Sequence, residues 1–252
     1  MIKPLQFNHN VGSIDAFTTE RGAADLHSAY SEFNCCGYTG DSPEHVAECR
    51  SRLCRELGIG EANFVTARQT HSARVAVIDS LPTGLIEGVD ALVTRLRGVA
   101  VGVFTADCVP ILLCDAEAGV VAAVHAGWRG TVAGIVRNAV ETMTEQGARP
   151  ERIEAVVGPS ICWDCFEVGD EVVAEFRRHA FSLHDIVKRN SATNKPYINL
   201  AAANRWLLES SGVPAANISL SGLCTRCEPL RFFSARALGI NSGRVLTGIV
   251  LR

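Results

Sequence analysis

Residues 105–130 read TADCVPILLCDAEAGVVAAVHAGWRG. Two short apolar runs, 110–114 and 120–124, flank the polar turn Asp115-Ala116-Glu117-Ala118-Gly119. That is hairpin spacing and not the long crossover of a βαβ unit. The first run follows Thr105-Ala106-Asp107-Cys108, where Pro110 blocks a helix. The second ends in His125-Ala126-Gly127-Trp128-Arg129-Gly130, a glycine-rich turn that opens a helix.

Further strands are predicted over 75–78, 99–104, 153–157, 218–220 and 246–251, interspersed with a few helices. The mixture is irregular, which points to an α+β or mixed α/β fold with antiparallel pairing. One helix starts at Ser42-Pro43, an N-cap with proline in the first turn, and stops at Gly58. Val46, Cys49, Leu53 and Leu57 share its apolar face, and at about 100° per residue Arg50 falls near that face. A guanidinium there must be paired or must line a polar pocket. A second helix is expected from Gly130 to about Gln146, capped by Gly147. A third starts near Asp170 and turns Val172, Val173 and Phe176 inward.

No repeat, low-complexity tract or linker interrupts the 252 residues, so one domain spanning 1–252 is expected. A net charge of -3 argues against a nucleic-acid partner. No apolar run approaches the roughly 20 residues of a membrane span. Met1-Ile2-Lys3-Pro4-Leu5-Gln6 lacks a signal-peptide core, so the cytoplasm is the expected location. Ten cysteines in a long chain without a secretion signal are then reduced thiols. Cys35, Cys36, Cys54 and Cys114 are expected to pack as small hydrophobes.

His71 in Gln69-Thr70-His71-Ser72, Cys108 and His125 each lie at or near a strand end, beside small or polar residues. Imidazole and thiolate are preferred zinc donors, and three protein ligands with a vacant position mark a catalytic site. Arg129 and the backbone of residues 127–130 at a helix start favour an anion, and Arg50 is a second candidate for phosphate. Asp107, next to Cys108, is the candidate proton shuttle. Cys162-Trp163-Asp164-Cys165 and Cys224-Thr225-Arg226-Cys227 are two C-x-x-C pairs separated by 58 residues. A zinc ribbon separates its pairs by about 15–20 residues, so core or pocket-lining thiols are the expectation.

These residues resemble the YfiH-type laccase-domain family, also labelled multicopper polyphenol oxidase and purine nucleoside phosphorylase. The resemblance rests on Phe17-Thr18-Thr19, Gly40-Asp41 through Arg50, Gln69-Thr70-His71, Asp90-Ala91-Leu92-Val93-Thr94 and the paired TADC and HAGWRG signatures. It continues through Gly158-Pro159, Phe166-Glu167-Val168-Gly169, Cys224-Thr225 and Arg231-Phe232-Phe233-Ser234. The chain departs from the family at 19–24 and at Glu48-Cys49-Arg50, where Glu-Asn-Arg is usual.

The resemblance implies a single-domain α/β/β/α sandwich with mixed sheets, similar in core to the cysteine-hydrolase domain of cytotoxic necrotizing factor. It implies zinc on His71, Cys108 and His125, with copper as the other candidate metal. Arg50, Gln69 and Arg129 are the expected substrate contacts, and a small nucleoside with phosphate the partners. The implied activities are phosphorolysis of adenosine, inosine and methylthioadenosine to free base and ribose 1-phosphate, and adenosine deamination, in which zinc-activated water attacks the purine C6. Three rivals remain. In a Cys-His enzyme Cys108 would attack with His71 or His125 as base. A copper-dependent polyphenol oxidase needs a histidine-rich cluster, whereas His9, His27, His45, His179 and His184 are scattered. A metal-binding regulatory protein would close the site with a fourth ligand.

Overall fold

A computed structural model describes residues 1–9, 12–23 and 29–252; His27 lies outside these residues. The chain opens with β1 (Ile2–Leu5), β2 (Ile14–Thr19), α1 (Pro43–Leu57), β3 (Phe64–Arg68), β4 (Val75–Ile78) and β5 (Ile86–Glu87). Its middle holds β6 (Ala91–Thr94), β7 (Ala100–Thr105), β8 (Val109–Asp115), β9 (Val120–Ala126), α2 (Trp128–Val132), α3 (Ile135–Glu145) and β10 (Glu154–Val157). Then come α4 (Asp170–Arg178), α5 (Leu183–Ile186), β11 (Val187–Arg189), β12 (Pro196–Ile198), α6 (Leu200–Ser210), β13 (Ile218–Leu220), α7 (Ala235–Leu238) and β14 (Val245–Leu251).

Two six-stranded mixed sheets form, ordered β1-β2-β14-β7-β3-β5 and β13-β10-β8-β9-β6-β4, with β11 and β12 as a separate ribbon. The period-2 alternation of buried strands sorts side chains into three apolar layers. On β9, Val121 and Ala123 face the first sheet, where they meet Val101, Val103 and Ile249. Val120, Ala122 and Val124 face the other way, onto Ile135, Ala139, Met143 and Leu207 of α3 and α6. The first sheet's outer face takes Phe17, Phe104 and Leu246 against Cys49, Leu53 and Leu57 of α1. The result is the expected four-layer α/β/β/α order. Strands covered on both sides read as unbroken apolar runs, and β8 and β9 are buried throughout.

The hairpin at 115–119 is present, with Val109↔Ala126 through Asp115↔Val120 in register. The first helix has the predicted caps: Ser42 accepts from His45 N, and Gly58 sits at φ 64. The second differs from expectation. It breaks into α2 and α3 because Gly134 adopts φ 82, a left-handed geometry that reorients the chain. Cys35, Cys36, Cys54 and Cys114 are buried as expected.

At the centre of the first sheet Gly102 and Gly248 face one another on β7 and β14. The Phe17 ring covers Gly248 so closely that a methyl there would stand 2.6 Å from Phe17 Cζ and 3.1 Å from Val101 O. Gly248→Ala is therefore expected to lower stability by about 1–3 kcal/mol through overpacking. A reduced urea midpoint at unchanged slope would show it; an unchanged midpoint would mean that the ring moves aside freely.

Candidate metal centre

Two chain crossings and the return of a hairpin meet at one end of the sandwich. β3 and β7 run parallel in the first sheet, so their C-terminal ends coincide. From there the chain passes to the second sheet twice, through 69–74 into β4 and through 106–108 into β8. His71 lies on the first crossing and Cys108 on the second. β9 is antiparallel to β8, which returns His125 to the same end, opposite Pro110. The donor atoms of His71, Cys108 and His125 all lie within 4.8 Å of one another, with Cys108 Sγ 3.7 Å from His71 Nε2. The imidazole rings meet edge to face, centroids 4.8 Å apart.

A residue that carried no assigned role in the sequence organises this geometry. Asp90, at the head of β6, is fully buried. Its Oδ1 accepts from His71 N at 2.9 Å and from His125 Nδ1 at 2.7 Å. Its Oδ2 accepts from Thr70 N at 3.2 Å, Ser72 N at 2.8 Å and Ser72 Oγ at 2.7 Å. Three consecutive backbone N–H groups thus converge on one carboxylate and hold His71 at φ 60, a left-handed geometry rare for histidine. Burial alone would push the Asp90 carboxyl up; the bonds from His125 and Ser72 outweigh it and hold the group well below the usual carboxylate range. With Nδ1–H engaged, the His125 Nε2 lone pair is free to ligate, the carboxylate–histidine–metal arrangement of many zinc sites.

Burial also raises the Cys108 thiol, but His125 and His71 beside it dominate and bring it down to about 6. His125 moves the opposite way: burial lowers it, while Cys108 and Asp90 raise it to about 9. The two shifts share a cause, since each group favours the charged form of the other. Gly127 leaves the space between the ligands, since a methyl there would stand 2.7 Å from His71 Cδ2 and 3.1 Å from Cys108 Sγ.

The ligands open on a cleft of about 110 Å³, lined also by Tyr38, Gln69, Phe104, Thr105, Ile240 and Arg244. Gln69 lines it with its amide engaged: Nε2 donates to Phe104 O and Oε1 accepts from Phe104 N, each at 2.8 Å, prolonging the β3–β7 ladder. Asp107 sits beside Cys108 at φ 93, but Oδ1 accepts from Thr225 Oγ1 at 2.8 Å and Oδ2 from Arg236 N at 2.7 Å. These bonds tie Asp107 to the second C-x-x-C turn and to α7, so its side chain shapes the loop, and it is not among the residues that line the cleft. Arg50 lies outside the cleft, with Nε on Cys35 O at 2.9 Å and its guanidinium over the Phe64 ring. Arg129 is exposed and stacks 4.2 Å over Trp128.

Thr105, Tyr38 and Arg244 went unassigned in the sequence. Thr105 Oγ1 is buried with no hydrogen-bond partner among the described residues. Tyr38 and Ile240 are 42% and 72% exposed at the rim. Arg244 contributes the cleft's guanidinium, fixed by the carbonyls of Ser242, Gly243 and Ile240. A second cluster also departs from expectation. The two C-x-x-C pairs converge, and the four sulfurs lie within 4.8 Å of one another.

The family described as multi-copper polyphenol oxidoreductase laccase matches residues 15–252. "Adenosine deaminase RL5", from an unidentified prokaryote, is 54% identical, covering 98% of each chain. A "Purine nucleoside phosphorylase" of Bacteroides thetaiotaomicron is 38% identical over 95% of this chain and 92% of its own. The crystal structure of YlmD from Geobacillus stearothermophilus superposes with a TM-score of 0.89 at 31% identity, over 96% of this chain and 93% of that one. With the match running through both crossings and the hairpin that follows them, the chain belongs to the multi-copper polyphenol oxidoreductase laccase family.

Proposed function

We propose that the protein is a zinc-dependent enzyme of purine nucleosides, phosphorolysing adenosine, inosine and methylthioadenosine and deaminating adenosine. The observation that carries this reading is the convergence of His71, Cys108 and His125 on a cleft with a buried, unpartnered hydroxyl. Relatives along nearly the whole chain bear the names adenosine deaminase and purine nucleoside phosphorylase.

The residues present fit zinc: two imidazoles and one thiolate, oriented from behind by Asp90, with a vacant side toward the cleft. Zinc bound there supplies Lewis acidity and lowers the pKa of water. Copper also accepts two histidines and a cysteine. A multicopper oxidase additionally needs a histidine-rich cluster, and among the described residues the grouped metal donors are this site and the four cysteines.

The cleft divides its work by chemistry. Tyr38 and Ile240 offer apolar surface at the rim on which a purine can stack. Thr105 Oγ1 meets a polar substrate atom without losing a bond inside the protein. Arg244 supplies the positive charge near a phosphate, the role expected of Arg50 and Arg129. No carboxylate lines the cleft among the described residues. Phosphorolysis tolerates this, because phosphate is itself the nucleophile; deamination must draw its proton acceptor from solvent or substrate.

Chromatography of adenosine incubated with protein and phosphate tests the reading. Phosphate-dependent adenine, together with inosine, is expected, and Cys108→Ala should reduce both at least 100-fold. No product from zinc-loaded wild type would sink the nucleoside reading. Turnover by zinc-free protein would instead favour Cys108 as a free nucleophile, which its lowered pKa allows.

Two substitutions probe the supports. Gly127 has φ -69, open to any residue, so Gly127→Ala acts only by crowding His71 and Cys108. Zinc should bind at least 10-fold more weakly by chelator competition, with the far-ultraviolet spectrum unchanged; wild-type affinity would mean the ligands have room. Asp90→Asn turns an amide N–H₂ toward groups that are all donors. It should weaken zinc about 10–100-fold and lower Tm, whereas an unchanged affinity would show that His125 needs no partner at Nδ1.

A further inference from the structure

The two C-x-x-C turns meet because of sheet topology. β10 and β13 pair in parallel, Ala155↔Ile218 through Val157↔Leu220, so both strands end on the same side. The chain leaves each strand into a turn, and the parallel bridge Ser160↔Cys224 continues the alignment beyond them. The turns repeat one geometry. Phe166 N donates to Cys162 O and Glu228 N to Cys224 O, both at 3.1 Å, each folding four residues back on the first cysteine. Cys162 N and Cys227 N both donate to Cys224 Sγ, at 3.3 and 3.4 Å. Amide N–H groups aimed at a sulfur stabilise a thiolate more than a thiol.

We infer that Cys162, Cys165, Cys224 and Cys227 form a second, structural zinc site. Four thiolates around a Zn–S distance of about 2.3 Å stand about 3.8 Å apart at tetrahedral angles. The four sulfurs here all lie within 4.8 Å, and Cys165 and Cys227 approach to 3.4 Å. An iron–sulfur cluster holds its cysteines farther apart, because its own atoms fill the centre. Binding displaces the thiol protons and leaves a complete shell, with no vacant position for substrate.

The site's place gives it a purpose. Thr225, inside the second turn, donates to Asp107 Oδ1, and Ile161, just before the first, donates its N–H to Asp107 O at 2.9 Å. Asp107 is the neighbour of Cys108. Closing the four cysteines on one ion therefore fixes the loop that presents the catalytic-site thiolate. The inference rests on its own four ligands and stands whether or not the cleft acts on nucleosides.

Zinc content and X-ray absorption at the zinc edge test it, on protein purified under reducing conditions. In His71→Ala/Cys108→Ala protein, one zinc per chain with four sulfur neighbours at about 2.3 Å is expected. Adding Cys165→Ala should remove it. In wild type, which needs no substitution to fold, two zinc ions per chain and a sulfur-dominated shell are expected. A single wild-type zinc with a nitrogen-rich shell, iron in its place, or disulfides among the four cysteines would overturn the second site and leave the first untouched. A single all-sulfur zinc in wild type would support the second site and count against zinc in the cleft.

Discussion

The ionised carboxylate of Asp90, fully buried, is the constraint on which this end of the sandwich depends. A charge in that position is unfavourable by several kcal/mol unless hydrogen bonds replace its hydration. Five donors do so, three from the backbone of 70–72, one from Ser72 Oγ and one from His125. Each bond to a charged group is worth about 1.5–3 kcal/mol. That is enough to hold His71 in a left-handed backbone whose strain is of order 1–3 kcal/mol. One carboxylate thus fixes the direction of one ligand through its main chain and of another through its ring.

Parallel pairing does the long-range placing. β3 with β7 and β10 with β13 each align two strand ends, and each pair of ends carries donors of one cluster or the turns that hold them. The antiparallel β8–β9 hairpin does the rest, returning His125 to the end where Cys108 lies. The mixed sheets thereby bring donors from five stretches of chain to one side, and Asp107 joins the two clusters through Thr225, Ile161 and Arg236.

Legibility in the sequence followed burial. β8 and β9, covered on both faces, read plainly as apolar runs, and Cys108 and His125 at their ends stand out as candidate donors. β1 and β5 gave no such signal, since one has an exposed middle and the other is two residues long. The break at Gly134 was missed because a single glycine is tolerated in a helix; only the packing of α3 shows the turn. Arg50 was rightly placed near the apolar face and in need of a partner, but that partner is the Cys35 carbonyl and the Phe64 ring, on the outer side of the first sheet. Asp90 was visible as an acid before an apolar strand; nothing in a sequence says that five donors will converge on it. Along the chain the two C-x-x-C pairs stand too far apart for a zinc ribbon, and a parallel strand pair makes that separation irrelevant.

The two clusters differ in the one respect that decides where chemistry can occur. Four cysteines make a closed shell, and their surroundings, Ile161 and Phe166, are apolar. Two histidines and a cysteine supply only three donors, and they line a cleft with Thr105, whose Oγ1 is buried with no hydrogen-bond partner among the described residues. Thr105 ends β7 and Cys108 closes the passage into β8, so the hydroxyl and the thiol ride on one short loop. Asp107 lies within that loop, tied to the turn of the second C-x-x-C pair. Any loosening of the cysteine cluster therefore moves Cys108 and Thr105 together, which is reason enough for the loop that carries both to be braced from outside the cleft.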